Sequence, residues 1–477
     1  MTFTSFTFLL FFPLVVVIYN LIPQKCRLYF LLLASLFFYI SLQPIYALLL
    51  AGVTISTYLF TRKISKERAE KKKGVLQVLG IIVTIFPLFF FKYFGFLNQV
   101  IVSLLDFVGW HVALPEISFL LPIGISFYTF MAIGYIVDVY NEDVEFEPNI
   151  GATGLFLSFF PLVLSGPIER AGNMFPQFRN LDRSSYDDLV AGVKMMLWGY
   201  FMKLCVADRL GIYVDAVFNN VGQHNGTTLL LASILYPFQV YADLGGYSLI
   251  AIGVARCLGL RVIPNFKRPF FATSMSEFWR RWHISLIQWL TDYVYNPLAF
   301  ALRRWKIWGI VIALMLTFLI SGIWHGATLT FIIWGMIQGV YLSVEALFQK
   351  RRIEFEQRHH LNENKGYILL CCIMVFVLFA FSQIFGRCMN VEEACVVIKS
   401  IFMERGSPFI DAMTLGHAMP FLFLLLFVDM RNEFFPHRFL FFEHRNVVVR
   451  YFSYMFILFC IVSMGVLDSG QFIYFQF

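Results

Sequence analysis

Charged side chains are scarce in this sequence. Only 14% of its 477 residues are Asp, Glu, Lys or Arg, whereas a soluble domain has roughly a quarter. Hydrophobic residues make up 59% of the chain and aromatic residues 18%. A chain of this kind lacks the polar surface of a water-soluble protein, so the composition predicts an integral membrane protein that crosses the bilayer many times. In lipid, each crossing segment has to satisfy its own backbone hydrogen bonds.

Strand signals are also missing. The chain has no recurring alternation of polar and apolar residues joined by Asn-Gly or Asp-Gly turns, which favours helices over a barrel. At about 20 residues per crossing, the apolar segments predict about eleven to thirteen transmembrane helices. No internal repeat and no low-complexity segment divides the sequence. We therefore predict that residues 1–477 form one all-α, multi-pass membrane domain.

Paired cysteines and a cleavable leader are absent too. The eight cysteines include no Cys-x-x-Cys pair, and most lie in apolar segments. They are interpreted as small core residues, so we predict neither a metal site nor a disulfide framework. The first apolar segment follows no basic region and has no small-residue cleavage site. It is predicted to be the first crossing and not a removed signal.

The few basic residues are unevenly placed. Residues 62–73 hold seven Lys or Arg and two Glu between two apolar segments. The positive-inside rule predicts that this loop is cytoplasmic. Its short length between two crossings argues against nucleic-acid binding, so no nucleic-acid partner is predicted. The last ten residues, 468–477, contain no Lys or Arg, which fits an extracytoplasmic tail.

One titratable residue stands inside an apolar region. His325 lies at a glycine-flanked break between two long apolar runs, within the stretch 316–327. An ionisable group at membrane depth is costly and marks a functional site by default. A neutral imidazole, with an ordinary pKa of about 6.5, can take a proton from a hydroxyl and return it. Trp324 and the apolar surroundings would exclude water. From these residues alone, a buried structural histidine or a proton path stays open.

A second histidine, His283, is embedded in a segment rich in Trp and Arg. Trp together with Arg is typical of a membrane interface, so residues 277–286 are predicted to lie on the membrane or to re-enter it. Arg280 and Arg281 are candidates for binding the phosphates of a donor, because guanidinium forks match phosphate geometry. The simpler alternative is an interfacial anchor, and for the tryptophans it is the better interpretation.

Two other groups of polar residues are candidates for supporting roles. Asn265 and Lys267 lie in a short basic loop before His283 and could assist donor binding. Asp243, with Tyr247 and Ser248 after it, interrupts a long apolar segment. We interpret Asp243 as a structural hydrogen-bond acceptor for a neighbouring helix.

Five stretches, taken together and in order, resemble the membrane-bound O-acyltransferase family. They are 121–130, 165–170, 241–253, 277–298 and 321–334, and the last contains the Trp-His-Gly-Ala step at 324–327. The resemblance is to the bacterial branch with alginate O-acetyltransferases and teichoic-acid D-alanyl transferases. It implies a bacterial inner-membrane protein whose helices form a ring around a central tunnel.

The resemblance also implies roles for individual residues. His325 matches the family's catalytic histidine and His283 its second histidine, placed where the tunnel narrows between its cytoplasmic and extracytoplasmic halves. Ser321 and Trp324 would line that tunnel, as would the group around Asp243. The donor would be an acyl thioester on the cytoplasmic side, either acetyl-CoA or an acyl carrier protein. It is a substrate, and neither a tightly bound cofactor nor a metal is expected.

The tail ends in Phe-Ile-Tyr-Phe-Gln-Phe at 472–477 and resembles a C-terminal motif of the same branch. In that motif the tyrosine, here Tyr474, is implied to carry the acyl group transiently. A phenol has a pKa near 10 and is a better leaving group than a sugar hydroxyl, so an aryl ester stays activated. The implied recipient is an extracytoplasmic acetyltransferase of SGNH type or similar. Apart from this resemblance, an aromatic belt at the interface would explain the same residues.

The predicted function is transfer of an acyl group, expected to be acetyl, across the membrane for O-acylation of a cell-surface polysaccharide. A D-alanyl transferase for an anionic wall polymer would use the same fold with another donor. A polymer or lipid transporter would place His325 on a proton path. A lipid-modifying acyltransferase would need a pocket for a long acyl chain.

Overall fold

The chain folds into helices throughout the part that its computed structural model describes, which is residues 1–110, 121–435 and 441–466. Within those ranges every regular element is an α-, 3-10 or π-helix. The prediction of an all-α protein is confirmed. The tail 468–477, and with it Tyr474, lies outside the described residues.

The contacts divide the chain into two compact units, of which the first comprises Met1–Val193 and Ala251–Ile263. Its helices are α1 Phe6–Leu21, α2 Gln24–Ile40, α3 Ala47–Lys66, α4 Glu70–Phe107, α5 Ile125–Tyr140, α6 Ile150–Ser158, α7 Ala171–Arg179 and the start of α8 Tyr186–Tyr200.

The second unit comprises Lys194–Ile250 and Pro264–Phe477. Beyond the end of α8 and a π-helix, Phe201–Ala207, its long elements are α9 Asp208–Phe218, α10 Gly226–Cys257, α14 Ile307–His325, α15 Leu329–Arg358, α16 Lys365–Arg387, α17 Val391–Met403, α18 Ala412–Phe434 and α19 Val447–Met464. Between α10, which ends in the first unit, and α14 lie three short helices, α11 Met275–Arg281, α12 Ile284–Leu290 and α13 Asn296–Ala301. The single-domain prediction stays a prediction.

Within the described residues, nine helices are long and apolar enough to cross a membrane. Two more apolar helices, α1 and α5, have 16 residues each and are shorter. A multi-pass membrane protein is therefore confirmed, and the ring around a tunnel stays a prediction. The helices α11, α12 and α13 have seven, seven and six residues. None of the three can span a bilayer, which agrees with a segment that lies on the membrane or re-enters it.

Exposed apolar side chains mark the helix faces that meet lipid. On α4 the exposed residues include Val75, Val78, Ile82, Phe86 and Phe89, which recur every three or four positions. This spacing places them on one face of the helix. In water such a stripe would be a liability, whereas in a bilayer it is the solvent-facing surface.

The hairpin of α14 and α15 depends on two glycines. A Cβ on Gly322 would clash with the carbonyl oxygen of Phe331, and a Cβ on Gly335 would clash with that of Phe318. The two backbones therefore touch at these positions, as small residues allow in membrane helix pairs. Since His325 lies one turn beyond Gly322, the hairpin sets which side chains of α15 surround it.

Gly335→Leu should push α14 and α15 apart and destabilise the fold by about 1–3 kcal/mol, because overpacking a close contact forces backbone shifts. Thermal unfolding of the purified protein in detergent measures the change. Gly416→Leu on α18 is the matched control, since no described residue comes within 4 Å of a Cβ there. Equal unfolding temperatures for the two variants would contradict this account of the hairpin.

Candidate active site

His325 is the last residue of α14, and its ring is held in one orientation. Its Nδ1 lies 2.7 Å from the backbone oxygen of Ser321, one turn earlier. A carbonyl oxygen only accepts hydrogen bonds, so Nδ1 carries the hydrogen and donates it. In the neutral ring this leaves the lone pair on Nε2. Nε2 is therefore the nitrogen that can accept a proton, in a side chain that is half-buried.

Aromatic side chains surround the His325 ring. The indole of Trp334, on α15, has its ring centroid 4.8 Å away and is tilted by 59°. Trp324 is perpendicular to the imidazole at 4.8 Å, and Phe331 stacks on it at 6.3 Å. An apolar environment of this kind strengthens any hydrogen bond made to a reacting group.

His283 is fully enclosed and has an unusual backbone. It is 3% exposed and sits between α11 and α12 with φ at 45°, in the left-handed region that few non-glycine residues adopt. Burial, together with the smaller effect of the neighbouring His325, lowers the pKa of His283 to about 3. The imidazole is therefore neutral at physiological pH.

The loop before α11 holds the His283 backbone in place. The carbonyl oxygen of Asn265 accepts the N–H of Ile284 at 2.8 Å, and its side-chain oxygen accepts the hydroxyl of Ser285 at 2.9 Å. Two residues on, the Lys267 N–H donates to the Arg281 carbonyl at 2.8 Å. Asn265 was predicted to contact the acyl donor. In the structure its side chain is buried and holds the turn that carries His283.

The two histidines approach the same indole. Trp324 is perpendicular to the ring of His325, its neighbour, and close to perpendicular to that of His283, with centroids 6.1 Å apart for the second pair. The ring of Phe266, in the loop before α11, has its centroid 6.2 Å from that of His283. The fold thus brings His283 and His325, which are distant in sequence, to the same tryptophan.

The basic residues around His283 divide into paired and exposed ones. Arg281 donates to Glu277 at 2.6 Å and to Glu433 of α18 at 2.9 Å. Glu433 also accepts from Arg268 at 2.6 Å. Two carboxylates already neutralise Arg281, whereas Arg280 is exposed.

Lys267 is exposed as well. Glu277, which pairs with Arg281, is ionised at neutral pH. Burial raises the pKa of Glu277, but hydrogen bonds from Thr273 and the charge of Arg281 outweigh it. The pKa of Glu277 therefore lies below its ordinary value. The carboxylate stays ionised and keeps Arg281 engaged, so of these basic residues Arg280 and Lys267 are the ones left for an anionic donor.

The Asp243 group is buried on α10, as a structural role requires. Its carboxylate pairs with Lys203 at 2.5 Å, and Lys203 also bonds Asp208 at 2.7 Å. The π-helix after α8 contains Lys203. Tyr247 and Ser248 are buried on the same stretch of α10. A buried charge is tolerated only when it is paired, which explains why this lysine occurs among apolar residues.

Sequence reasoning missed Trp334 as a site residue. It is 4% exposed, and its Nε1–H has no acceptor among the residues that the structure describes. The hydroxyl of Ser321, which is fully buried, also has no hydrogen-bond partner among the described residues. By contrast, the Nε1–H of Trp279, whose ring packs against that of Trp334, donates to Gln338 at 3.3 Å. An unpaired buried donor is expensive, and only its position beside His325 reveals it; the sequence pattern does not.

The described residues contain no group of three His, Cys, Asp or Glu side chains that could hold a metal ion.

The end of the described chain is bonded to other residues of the second unit. The Val466 N–H donates to the Leu204 carbonyl at 3.1 Å, and Arg209 donates to the Met464 carbonyl at 2.8 Å.

The region that holds both histidines matches the model of a known family, and known proteins are similar to much of the chain. The model of the membrane-bound O-acyltransferase family matches residues 147–389. A probable alginate O-acetylase, AlgI, from Pseudomonas aeruginosa is 37% identical over 355 residues, which are 72% of this chain and 66% of that protein.

Two other relatives act on different polymers by name. A peptidoglycan O-acetyltransferase from Helicobacter pylori is 31% identical over 398 residues, covering 78% of this chain and 73% of that protein. A teichoic acid D-alanyltransferase from Bacillus subtilis is 26% identical over 329 residues, covering 67% of this chain and 80% of that protein. The family match spans half of the chain and includes His283, His325 and Trp334. The expectation of an O-acyltransferase is confirmed by the family model and by these relatives. The chain belongs to the membrane-bound O-acyltransferase family.

Proposed function

We propose that this protein transfers an acetyl group from a cytoplasmic thioester across the bacterial inner membrane for O-acetylation of a cell-surface polysaccharide. The observation that carries the proposal is the contact of His325 Nδ1 with the Ser321 carbonyl oxygen, which leaves Nε2 as the base inside an aromatic enclosure. The names of the alginate and peptidoglycan relatives support acetyl transfer to a polymer of this class.

His325 would act as base and then as acid. The acceptor hydroxyl attacks the carbonyl carbon of the thioester, forming a C–O bond while its proton passes to Nε2. The carbonyl electron pair moves onto oxygen. When the carbonyl re-forms, the C–S bond breaks, and the departing sulfur takes the proton back from Nε2. The enzyme ends unchanged, and no water is needed.

Trp334 would stabilise the negative oxygen during this step. Its buried indole N–H lies on a ring 4.8 Å from the imidazole and has no acceptor among the described residues. A donor fixed before the reaction is most effective where water is excluded, because it needs no reorganisation as charge develops. The indole N–H of Trp334 would lack a hydrogen-bond acceptor in the resting enzyme and would gain one in the transition state.

The donor side would be assembled around His283. The enclosed neutral imidazole, clamped by Asn265, shapes the approach to Trp324. Arg280 and Lys267 are exposed, so they would meet the phosphates of coenzyme A or of a carrier protein's prosthetic arm. Arg281 would act by holding the loop through its two carboxylate partners.

Tyr474 would receive the acetyl group first and pass it to an extracytoplasmic acetyltransferase partner of SGNH type or similar. Splitting the transfer into two steps through an activated aryl ester suits a reaction whose donor and final acceptor lie on opposite sides of a membrane. D-alanyl transfer is the second candidate, favoured by the similarity to the teichoic acid enzyme. The same residues would serve both acyl groups.

His325→Gln should lower acetyl transfer about 10²–10⁴-fold, since a general base and acid contributes a factor of that size. Transfer of labelled acetyl from a thioester to the polymer in isolated membranes measures it. His359→Ala is the control, because His359 is exposed outside the site. Wild-type rates in His325→Gln would refute the proposed function.

Trp334→Phe should lower kcat about 10²–10³-fold, as the loss of one oxyanion donor does, while KM for the thioester changes little. Trp279→Phe is the matched control: it also removes a buried indole N–H, but one that is already bonded to Gln338. That variant should lose stability, by about 0.5–1.5 kcal/mol, and keep its kcat. If the two variants behaved alike, Trp334 would be a packing residue only.

Tyr474→Phe should abolish a covalent acyl adduct on the protein, because the phenol oxygen that forms the ester is gone. Intact-protein mass spectrometry after incubation with the donor detects the adduct, and its mass distinguishes acetyl from D-alanyl. Tyr186→Phe, at an exposed tyrosine, should leave the adduct in place. An adduct that survives in Tyr474→Phe removes the tail from the mechanism.

A further inference from the structure

A large cavity in the second unit has no part in the acyl-transfer site. Its volume is about 490 Å³, and it is bounded by α18, α19, the end of α8 and the 3-10 helix Phe441–Glu443. Cavities of roughly 300–1,000 Å³ hold small organic ligands in proteins. None of the site residues around His283 and His325 lines it, so the cavity is separate from the residues assigned to acyl transfer.

The cavity is amphipathic along the helix axes. Its polar lining includes Asn432 near the end of α18 and Glu443 shortly before α19. Leu424 lies eight residues before Asn432 on the same helix, which is about 12 Å deeper at 1.5 Å per residue. The deeper walls are apolar and aromatic, with Phe452 and Phe456 of α19 among them. A molecule with a polar end and a hydrocarbon chain fits this gradient.

The membrane side of the polar end follows from nearby charges. Arg431 precedes Asn432, and Arg445 and Arg450 flank the start of α19. By the positive-inside rule this end faces the cytoplasm, where the lipids of the inner leaflet place their head groups. The hydrocarbon-lined part then lies at the depth of their acyl chains.

The polar lining carries both signs of charge. Lys194 is a cation on a long stem that can snorkel to the interface, Glu443 is an anion, and Asn432 offers an amide. None of these three side chains has a hydrogen bond or an ion pair with another described residue. Lysine suits a phosphate and a carboxylate suits an ammonium group. An anionic head group would meet only the first of these, and a zwitterion with a primary amine meets both.

We propose that this cavity binds one inner-leaflet phospholipid with a primary-amine head group, of the phosphatidylethanolamine type. Lys194 contacts its phosphate, Glu443 its ammonium group, and the aromatic walls enclose an acyl chain. The lipid joins the end of α18 to the start of α19. It thereby holds Glu433, the residue after Asn432, which bonds both Arg268 and Arg281 beside His283. This binding does not depend on the proposed acyl transfer.

Native mass spectrometry of the purified full-length protein tests the lipid preference. The protein is titrated in detergent with phosphatidylethanolamine, phosphatidylglycerol or phosphatidylcholine. We expect phosphatidylethanolamine to bind about tenfold more tightly than phosphatidylglycerol, which is the size of one charge-assisted contact. Phosphatidylcholine, whose ammonium group cannot donate a hydrogen bond, should also bind more weakly. Equal affinity for the three lipids overturns the proposal.

Variants assign the preference to the cavity. Glu443→Gln should erase the advantage of phosphatidylethanolamine over phosphatidylglycerol, and Lys194→Met should weaken both lipids. Glu404→Gln removes an exposed carboxylate away from the cavity and should change nothing. Leu424→Trp should fill the apolar part and remove the bound lipid. A preference that survives Glu443→Gln shows ordinary boundary lipid and overturns the proposal. Because Glu443 lies at the surface, this test works even if Leu424→Trp fails to fold.

Discussion

The contact between Gly322 and Gly335 is the constraint on which the site depends. Lipid provides no hydrophobic driving force for bringing two apolar helices together, so close van der Waals contact between their backbones has to hold them. That contact fixes the offset between α14 and α15. It places the imidazole at the end of one helix against the indole of Trp334 on the other, and every chemical role assigned to this pair follows from their separation.

Several buried polar groups in the second unit are paired with carboxylates. Lys203 is matched by Asp208 and Asp243, and Tyr241 by Asp429, with 2.7 Å between the tyrosine hydroxyl and the carboxylate. Pairs of this kind remove the penalty of a lone charge or donor in a medium of low dielectric constant. The N–H of Trp334 differs, since it is unpaired among the described residues, and we interpret it as a group kept for a partner that arrives with the substrate.

The sequence was sufficient to predict the helical membrane fold. It also made His325 the first candidate for the site, because a titratable group in a long apolar run is visible in the sequence alone. It did not distinguish Asn265 from Arg280, since both are polar residues near His283. Only the three-dimensional turn shows that one clamps the backbone and the other is exposed. The sequence pattern also did not predict that the 38-residue helix α4 continues through Pro87 and Gly95 without a break. The pairing of Arg281 with Glu433 joins positions 152 residues apart, and no local pattern encodes it.

The anchored Nδ1 of His325 has a consequence for the energy balance of the cell. A histidine that relays protons through a membrane takes one up on one ring nitrogen and releases another from the opposite nitrogen. Here the Nδ1 hydrogen is tied to a backbone carbonyl of its own helix, so a proton taken up at Nε2 has to leave from Nε2. With the ring held in this orientation, the imidazole does not pass a proton from one of its nitrogens to the other. In this orientation, the titratable group inside the membrane-embedded fold exchanges a proton within the site and offers the proton gradient no route through its own ring.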